Sequence, residues 1–483
     1  MKKSARSLLV ASIFGLGLGL WAEAGCRVSR FSPPAGDFDS FVLRALDRTN
    51  VPGLSLTILA DGRVEPARTY GVKNRTTQEP VAQETVFEAC SLSKPVLAYA
   101  ALTLVAEGRL DLDKPLLSQA SEDVLTREFF RGKIEDDRMR GITPRMVMSH
   151  RSGFPNWRGG RLSLVAEPGT QFGYSGEGFV LLQKVVEQIA GRPLNEFVKE
   201  RVFVPLAMTS SSYVWIPDFD IRAAVPHSLF GEAKPKHKPL SANGAASLHT
   251  TSGDYARFLA AIFQGPGLSE DLRRQMLTEQ TVVSSGVGWG LGLGLENVEG
   301  REFLWHWGDN LNFKCFFLID RQARSGFVYF ANGYFGLSLA QEFARRMFGD
   351  PPHPAFATSL MDEYDPLDSP IFDIVQAASD NDIEAGLNVA RKAAAEATGK
   401  IREANLNSLG YALMGQSRLD EAIKVFELNV QLYPQSWNVY DSLADAMERK
   451  GNDEAAVRNY ELSLKLNPDN TKAATHLKIL RKK

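Results

Sequence analysis

The chain has 483 residues, 44% hydrophobic and 23% charged, enough for two or more ordinary globular domains. Its 55 basic and 57 acidic residues leave a net charge of −2, and no basic block or basic–aromatic patch points to nucleic acid. Three cysteines, Cys26, Cys90 and Cys315, are too few for a disulfide scaffold and show no zinc-like spacing.

At the N-terminus, Lys2, Lys3 and Arg6 precede an apolar run from Leu8 to Trp21, followed by Ala22-Glu23-Ala24. This charged, apolar, small-residue order predicts a secretory signal peptide over 1–24 and an exported, periplasmic or secreted mature chain. The run is short for a spanning helix, and no other stretch is long and apolar enough, so no transmembrane segment is expected in the mature chain. Cys26 leaves lipid attachment open, although Glu23 stands where a lipoprotein signal usually carries an apolar residue.

Residues 36–349 read as one mixed domain. Leu54-Ser55-Leu56-Thr57-Ile58-Leu59 alternates and meets a turn at Asp61-Gly62, as in a hairpin. A second strand group lies at Phe303–His306, Cys315–Ile319 and Phe327–Phe330, with helical stretches at 94–107, 176–191 and 252–264 between the two groups. Strands at both ends with helices between predict an α+β fold: one antiparallel sheet with helices packed on it.

Within that domain, Phe87-Glu88-Ala89-Cys90-Ser91-Leu92-Ser93-Lys94-Pro95 sets a serine and a lysine three residues apart where an apolar helix begins. Residues i and i+3 share a helix face, so the Lys94 amine can reach the Ser91 hydroxyl. A helix start also offers free N–H groups and a positive dipole end. That suits an activated nucleophile: an amine to take its proton, and donors for an oxyanion. Cys90 reads as a small packing residue, and a Cys90–Cys315 bridge is left open by the sequence. Three more motifs follow. Met148-Ser149-His150-Arg151-Ser152-Gly153-Phe154-Pro155 is a loop rich in turn formers, and Pro168-Gly169-Thr170-Gln171-Phe172-Gly173-Tyr174-Ser175 places a tyrosine in a turn before a helix. Trp305-His306-Trp307-Gly308-Asp309 lies on a late strand.

Residues 350–370, with Asp350-Pro351-Pro352-His353-Pro354, Asp365-Pro366 and Asp368-Ser369-Pro370, read as a stiff proline-rich linker. Residues 371–483 read as helical. Leu409, Ser417, Ala422, Phe426 and Pro434 correspond at a 34-residue offset to Leu443, Gly451, Ala456, Tyr460 and Pro468, giving units near 403–436 and 437–470. The period and pattern resemble the tetratricopeptide repeat, with the alanine-rich 371–402 as a degenerate first unit. The resemblance implies an all-α repeat domain able to take a protein partner, and two clear units are few enough that it would lean on the preceding domain.

On its motifs, the stretch from about 40 to 349 resembles the serine β-lactamase and penicillin-binding protein superfamily, in particular class C β-lactamases, D-specific aminopeptidases, DD-carboxypeptidases and esterases of that fold. The resemblance rests on Ser91-x-x-Lys94, the Ser149–Gly153 loop, the Pro168–Ser175 segment and Leu248-His249-Thr250-Thr251 with its following helix. It implies that Ser91 forms an acyl-enzyme, that Lys94 helps deprotonate it with a pKa lowered by burial and neighbouring positive potential, and that Tyr174 shuttles the proton. His306 would bond the tyrosine oxygen or a substrate carboxylate. Gly308 would let substrate lie along the strand edge, and the N–H groups of Ser91 and Asp309 would form the oxyanion hole. His150 and His249 would be structural, and neither metal nor cofactor is called for.

Two departures matter. The family's Tyr-x-Asn reads Tyr174-Ser175-Gly176, so the residue that holds a substrate amide is missing. Trp307 replaces a small residue between His306 and Gly308 and would narrow the cleft or wall it. The expectation is a secreted serine hydrolase acting on a small-molecule or peptide ester or amide, with esterase or D-amino-acid peptidase activity ranked above β-lactamase. The alternative is a catalytically silent ligand-binding protein whose repeats recruit a protein.

Overall fold

In a computed structural model, the structure describes residue 31 and residues 36–349, 351–396 and 401–482. The signal peptide expected over 1–24, and Cys26, lie outside the described residues. Phe31–Lys483 forms one compact unit.

A ten-stranded antiparallel sheet carries the domain. Its centre is the run Gly53–Ala60, Ser325–Ala331, Lys314–Asp320, Arg301–Asp309, and the early strand joins the late group by the register Leu54 to Ala331 through Leu59 to Gly326. The alternation of Gly53–Ala60 does not mean one wet face, because the strand is buried on both. Leu54, Leu56 and Ile58 face one apolar core, while Ser55 and Thr57 each bond the Ser252 hydroxyl, at 2.7 and 2.8 Å, under the helix Ser252–Gln264. Buried polar side chains are tolerated there because each has a partner.

On that side the helices Ser93–Ala106, Gly176–Ala190 and Ser252–Gln264 cover the sheet. On the other, Phe38–Arg48 and Ala340–Phe348 pack on Phe303, Trp305, Phe327 and Tyr329. The same apolar core runs on without a break into Phe372, Leu406 and Leu413 of the C-terminal helices.

The segment read as a stiff spacer is instead a strap laid over the domain. Ala355 and Met361 are buried among its prolines, Glu296 pairs with His353 and accepts from the Ala355 N–H at 3.0 Å, and the Tyr364 hydroxyl reaches Asp309. Proline content signalled stiffness; the apolar residues between decide that the stiff chain is docked.

Beyond it the region is all helical. The pairs Glu403–Gly415 with Leu419–Leu432, and Trp437–Arg449 with Asp453–Leu466, recur at a 34-residue offset. In the first pair a Cβ on Gly410 would come within 2.4 Å of the Phe426 ring. In the second, Ala444 and Tyr460, 34 residues on, share a buried cluster. A small residue opposite an aromatic thus sets each pair's approach. Among the described residues no helix is long and apolar enough to cross a membrane.

Candidate active site

The Ser91 turn is tied down on every side. Cys90–Leu92 is a single 3-10 turn that runs into the helix Ser93–Ala106, and Cys90 holds a left-handed φ of 49°. Such a conformation persists in a non-glycine residue only where its surroundings impose it. Here the Ser93 hydroxyl donates to the Cys90 carbonyl at 2.6 Å and accepts from the Leu248 N–H at 3.0 Å. Ala89 N–H donates to the Leu248 carbonyl at 2.7 Å, and the Tyr255 hydroxyl to the Leu92 carbonyl at 3.0 Å.

Lys94 points back along its helix and is fully buried. Its Nζ lies 2.9 Å from Ser91 Oγ and 2.9 Å from the Ala245 carbonyl, ringed by Tyr174, Trp157 and Phe179 at 4.9, 6.0 and 6.0 Å. Burial, which disfavours the ammonium, lowers its pKa to about 7. No neighbouring positive charge contributes to that shift, so the positive potential expected from the sequence is not the cause.

Tyr174 is placed by two interlocked loops. Gly173 N–H donates to the His150 carbonyl at 2.7 Å, and Ser175 N–H to His150 Nδ1 at 3.0 Å. Ser175 then caps the helix Gly176–Ala190, accepting from Gly178 N–H at 3.0 Å. The Tyr174 hydroxyl is buried beside the Ser91 hydroxyl, and burial raises its pKa, with Ser91 countering in part.

His306, Trp307, Gly308 and Asp309 end the strand Arg301–Asp309. His306 Nδ1 faces the Trp307 carbonyl at 2.7 Å. This fixes the proton on Nδ1 and leaves Nε2, buried and without a partner among the described residues, as an acceptor. Burial, helped by Lys94, lowers its pKa to about 3. Of the two partners expected of it, the Tyr174 oxygen is not bonded: the ring centres are 6.2 Å apart, and among the described residues neither polar atom has a partner by hydrogen-bond geometry. Trp307 is 6% exposed, and its ring backs Tyr174 at 4.8 Å rather than opening onto a cleft.

Gly308 is needed for close approach. A Cβ there would meet Cys315 Sγ at 2.4 Å, Cys90 Cβ at 2.8 Å and the Ala89 carbonyl at 2.9 Å. Its bareness lets the strand lie against the Ser91 turn. Cys90 and Cys315 are free thiols. Beyond Trp305, which pairs with Gly294, the strand has no strand neighbour on that side among the described residues, so His306–Asp309 form an open edge beside Ser91.

The structure thus brings Ser91, Lys94, Tyr174, His306, Trp307, Gly308 and Asp309 around one point. Sequence reasoning missed four of their neighbours. Trp289, fully buried, touches His150, Tyr174, His306 and Trp307 at 5.1, 6.1, 5.3 and 6.3 Å; its flanking glycines, Gly286-x-Gly288-Trp289-Gly290, were the available signal. Ala245 contributes only a carbonyl, so no side chain could announce it. Trp157 lies over Gly176, where a Cβ would come within 2.7 Å of its ring. Asn156 caps the same helix start, accepting from Gly176 N–H at 3.0 Å.

The sequence matches the family described as Beta-lactamase over residues 38–348. It is 25% identical over 315 residues to Esterase EstB of Burkholderia gladioli, covering 53% of this chain and 78% of that one. It is 27% identical over 232 residues to Protein Rv1367c of Mycobacterium tuberculosis, covering 40% of this chain and 57% of the relative, little more than half its length. The fold is similar to that of D-alanine carboxypeptidase AmpC from Burkholderia cenocepacia, with a TM-score of 0.54 at 19% identity over 64% of this chain and 96% of the other. Through residues 38–348, the chain belongs to the beta-lactamase family.

Proposed function

We propose that this protein is an exported serine hydrolase that cleaves uncharged esters through an acyl-enzyme on Ser91. The observation that carries the reading is Lys94 Nζ, buried, 2.9 Å from Ser91 Oγ and bonded to no carboxylate among the described residues. An amine with a pKa near 7 is half deprotonated at neutral pH, whereas burial keeps Tyr174 a neutral phenol. Lys94 is therefore the base and Tyr174 the relay.

In acylation, Ser91 Oγ bonds the carbonyl carbon and its proton passes to Lys94 Nζ. The carbonyl oxygen becomes an oxyanion held by the N–H groups of Ser91 and Asp309. As the carbon–oxygen bond to the leaving group breaks, a proton moves from Lys94 through the Tyr174 hydroxyl to the departing alkoxide. Water then repeats the sequence in reverse roles and frees the acid.

Two features favour a neutral ester over a β-lactam or a peptide. The Trp157 ring fills the space beside Gly176 in which an amide-binding side chain would stand. The His306 imidazole is uncharged and offers no cation to a substrate carboxylate. The relative named as an esterase supports the same choice. The 34-residue helix pairs, read as tetratricopeptide-like, are the surface for a protein partner, and residues 1–24 the export signal.

The test is intact-mass spectrometry after a fluorophosphonate, beside turnover of p-nitrophenyl butyrate, for the parent and Ser91→Ala. One adduct and ester turnover in the parent, both lost in the variant, are expected. An unlabelled and inactive parent would overturn the reading in favour of a silent ligand-binding protein.

A further inference from the structure

Asp309 supplies the oxyanion hole with a backbone N–H, but its side chain turns the other way. Asn310 N–H donates to the Phe313 carbonyl at 3.1 Å, closing the hairpin between Arg301–Asp309 and Lys314–Asp320. Antiparallel pairs alternate between hydrogen-bonded and free, so the next pair, Asp309 with Lys314, is a free one. The Asp309 N–H therefore points away from its partner strand, toward the open edge and the Ser91 turn. The position of that N–H depends on how the strand end is held.

The Asp309 carboxylate does the holding, through three donors. Oδ1 accepts from Leu311 N–H at 2.7 Å and pairs with the Lys314 ammonium. Leu311, with φ of 64°, is in the left-handed region, so this turn is strained and needs the tie. Oδ2 accepts from the Tyr364 hydroxyl at 3.0 Å. Lys314 is itself buried, its Nζ packed over the rings of Tyr334 and Tyr364 at 5.2 and 5.7 Å.

Tyr364 lies on the strap, sixteen residues past the end of the family match at 348. The strap is anchored in turn by the C-terminal helices, since Asp365, the residue next to Tyr364, bonds Asn405; beside it, Tyr334 of the first domain bonds Ser408 at 2.9 Å.

We infer that Tyr364 is a positioning residue for the reaction: its hydroxyl, clamped by the strap, sets the Asp309 carboxylate and thereby the Asp309 N–H of the oxyanion hole. The inference rests on the Ser91 acyl-enzyme reading. It makes the oxyanion hole of this chain the product of two regions, one inside the family's boundaries and one outside. It also explains why a carboxylate is tolerated beside a developing negative charge: Lys314 and Tyr364 draw it to the far side of the strand.

The experiment compares Tyr364→Phe with Tyr334→Phe in the full chain. Tyr334→Phe cuts the Ser408 bond at the same interface and leaves Asp309 alone. For p-nitrophenyl butyrate, Tyr364→Phe is expected to lower kcat about tenfold with KM nearly unchanged, the size of one charge-assisted hydrogen bond. Affinity for a trifluoromethyl ketone, whose serine adduct places an oxyanion in the hole, should fall by the same factor. Tyr334→Phe should match the parent in both. Parental kcat and ketone affinity in Tyr364→Phe, with Ser91→Ala inactive, would overturn this inference and leave the Ser91 reading standing. Equal losses in both tyrosine variants would also overturn it, as general loosening of the interface. An inert parent would overturn both.

Discussion

The indole of Trp157 occupies the place of a side chain at residue 176: a Cβ on Gly176 would sit 2.7 Å from the ring and 2.9 Å from the Asn156 carbonyl. The bare glycine leaves room for the tryptophan ring. Gly176→Asn, which restores the family's Tyr-x-Asn, should therefore destabilise the protein by about 1–3 kcal/mol by overpacking. Gly176→Asn combined with Trp157→Ala should recover most of that. Urea unfolding of the two variants and the parent checks it, and equal midpoints would show that the ring simply moves aside.

The lysine pKa sets the pH profile. Lys94 must be neutral to accept the Ser91 proton, so kcat/KM for a neutral ester should rise about tenfold per pH unit on the acid side and level off above about 7. An activity that fell through that range would exclude Lys94 as base.

The same group has a stability signature of definite sign. The unfolded lysine titrates near 10.5 and the folded one near 7. Between those values the unfolded state holds the extra proton, so folding weakens as pH falls from 10.5 to 7 and stays weakened below. Lys94→Met removes the penalty. It should stabilise the protein by about 0.5–2 kcal/mol at pH 6, gain little near pH 10, and be inactive. Denaturant midpoints at the two pH values read the difference.

Gly308→Ala should be costly in two ways. Its methyl group would press on Cys315 Sγ, Cys90 and the Ala89 carbonyl, with a loss of about 1–3 kcal/mol. Because the displaced atoms carry Ser91, ester turnover should fall further than the melting shift alone explains. Adding Cys315→Ala removes the nearest clash and should restore part of both. No restoration would place the strain at the Ala89 carbonyl instead.

Truncation after 349 should not yield a free catalytic domain. Phe335 packs edge-on to Phe372 at 5.1 Å, Arg48 pairs with Asp373, and one apolar core spans both regions. Soluble yield and a cooperative melt of the truncated chain are the measurements. An intact, folded and fully active fragment would contradict the shared core.

What could be read from the sequence was local or periodic. Ser91 and Lys94 are one helical turn apart, the strands show as apolar runs, and the helix pairs repeat at a constant offset. What could not be read depends on distant parts of the chain meeting. Trp157 meets Gly176 across a loop, Ala245 offers a carbonyl that any residue would have, and Tyr364 reaches Asp309 from a segment whose prolines suggested a spacer. The positive potential expected near Lys94 failed for a similar reason. Motif spacing shows which residues stand beside the amine in the chain, not how completely the fold removes it from water.

The open edge at His306–Asp309 has one more consequence. An unpaired strand edge is a template for adding another strand, and proteins guard such edges against self-association. Here the edge is only four residues long, bounded on one side by the pairing that stops at Trp305 and on the other by the hairpin at Asn310. The Ser91 turn fills the space in front. An extended chain would find too short a rail to zip onto, whereas a compact molecule with a single reactive carbonyl could still meet it end-on. So short an edge limits how much of a polypeptide can pair along that strand.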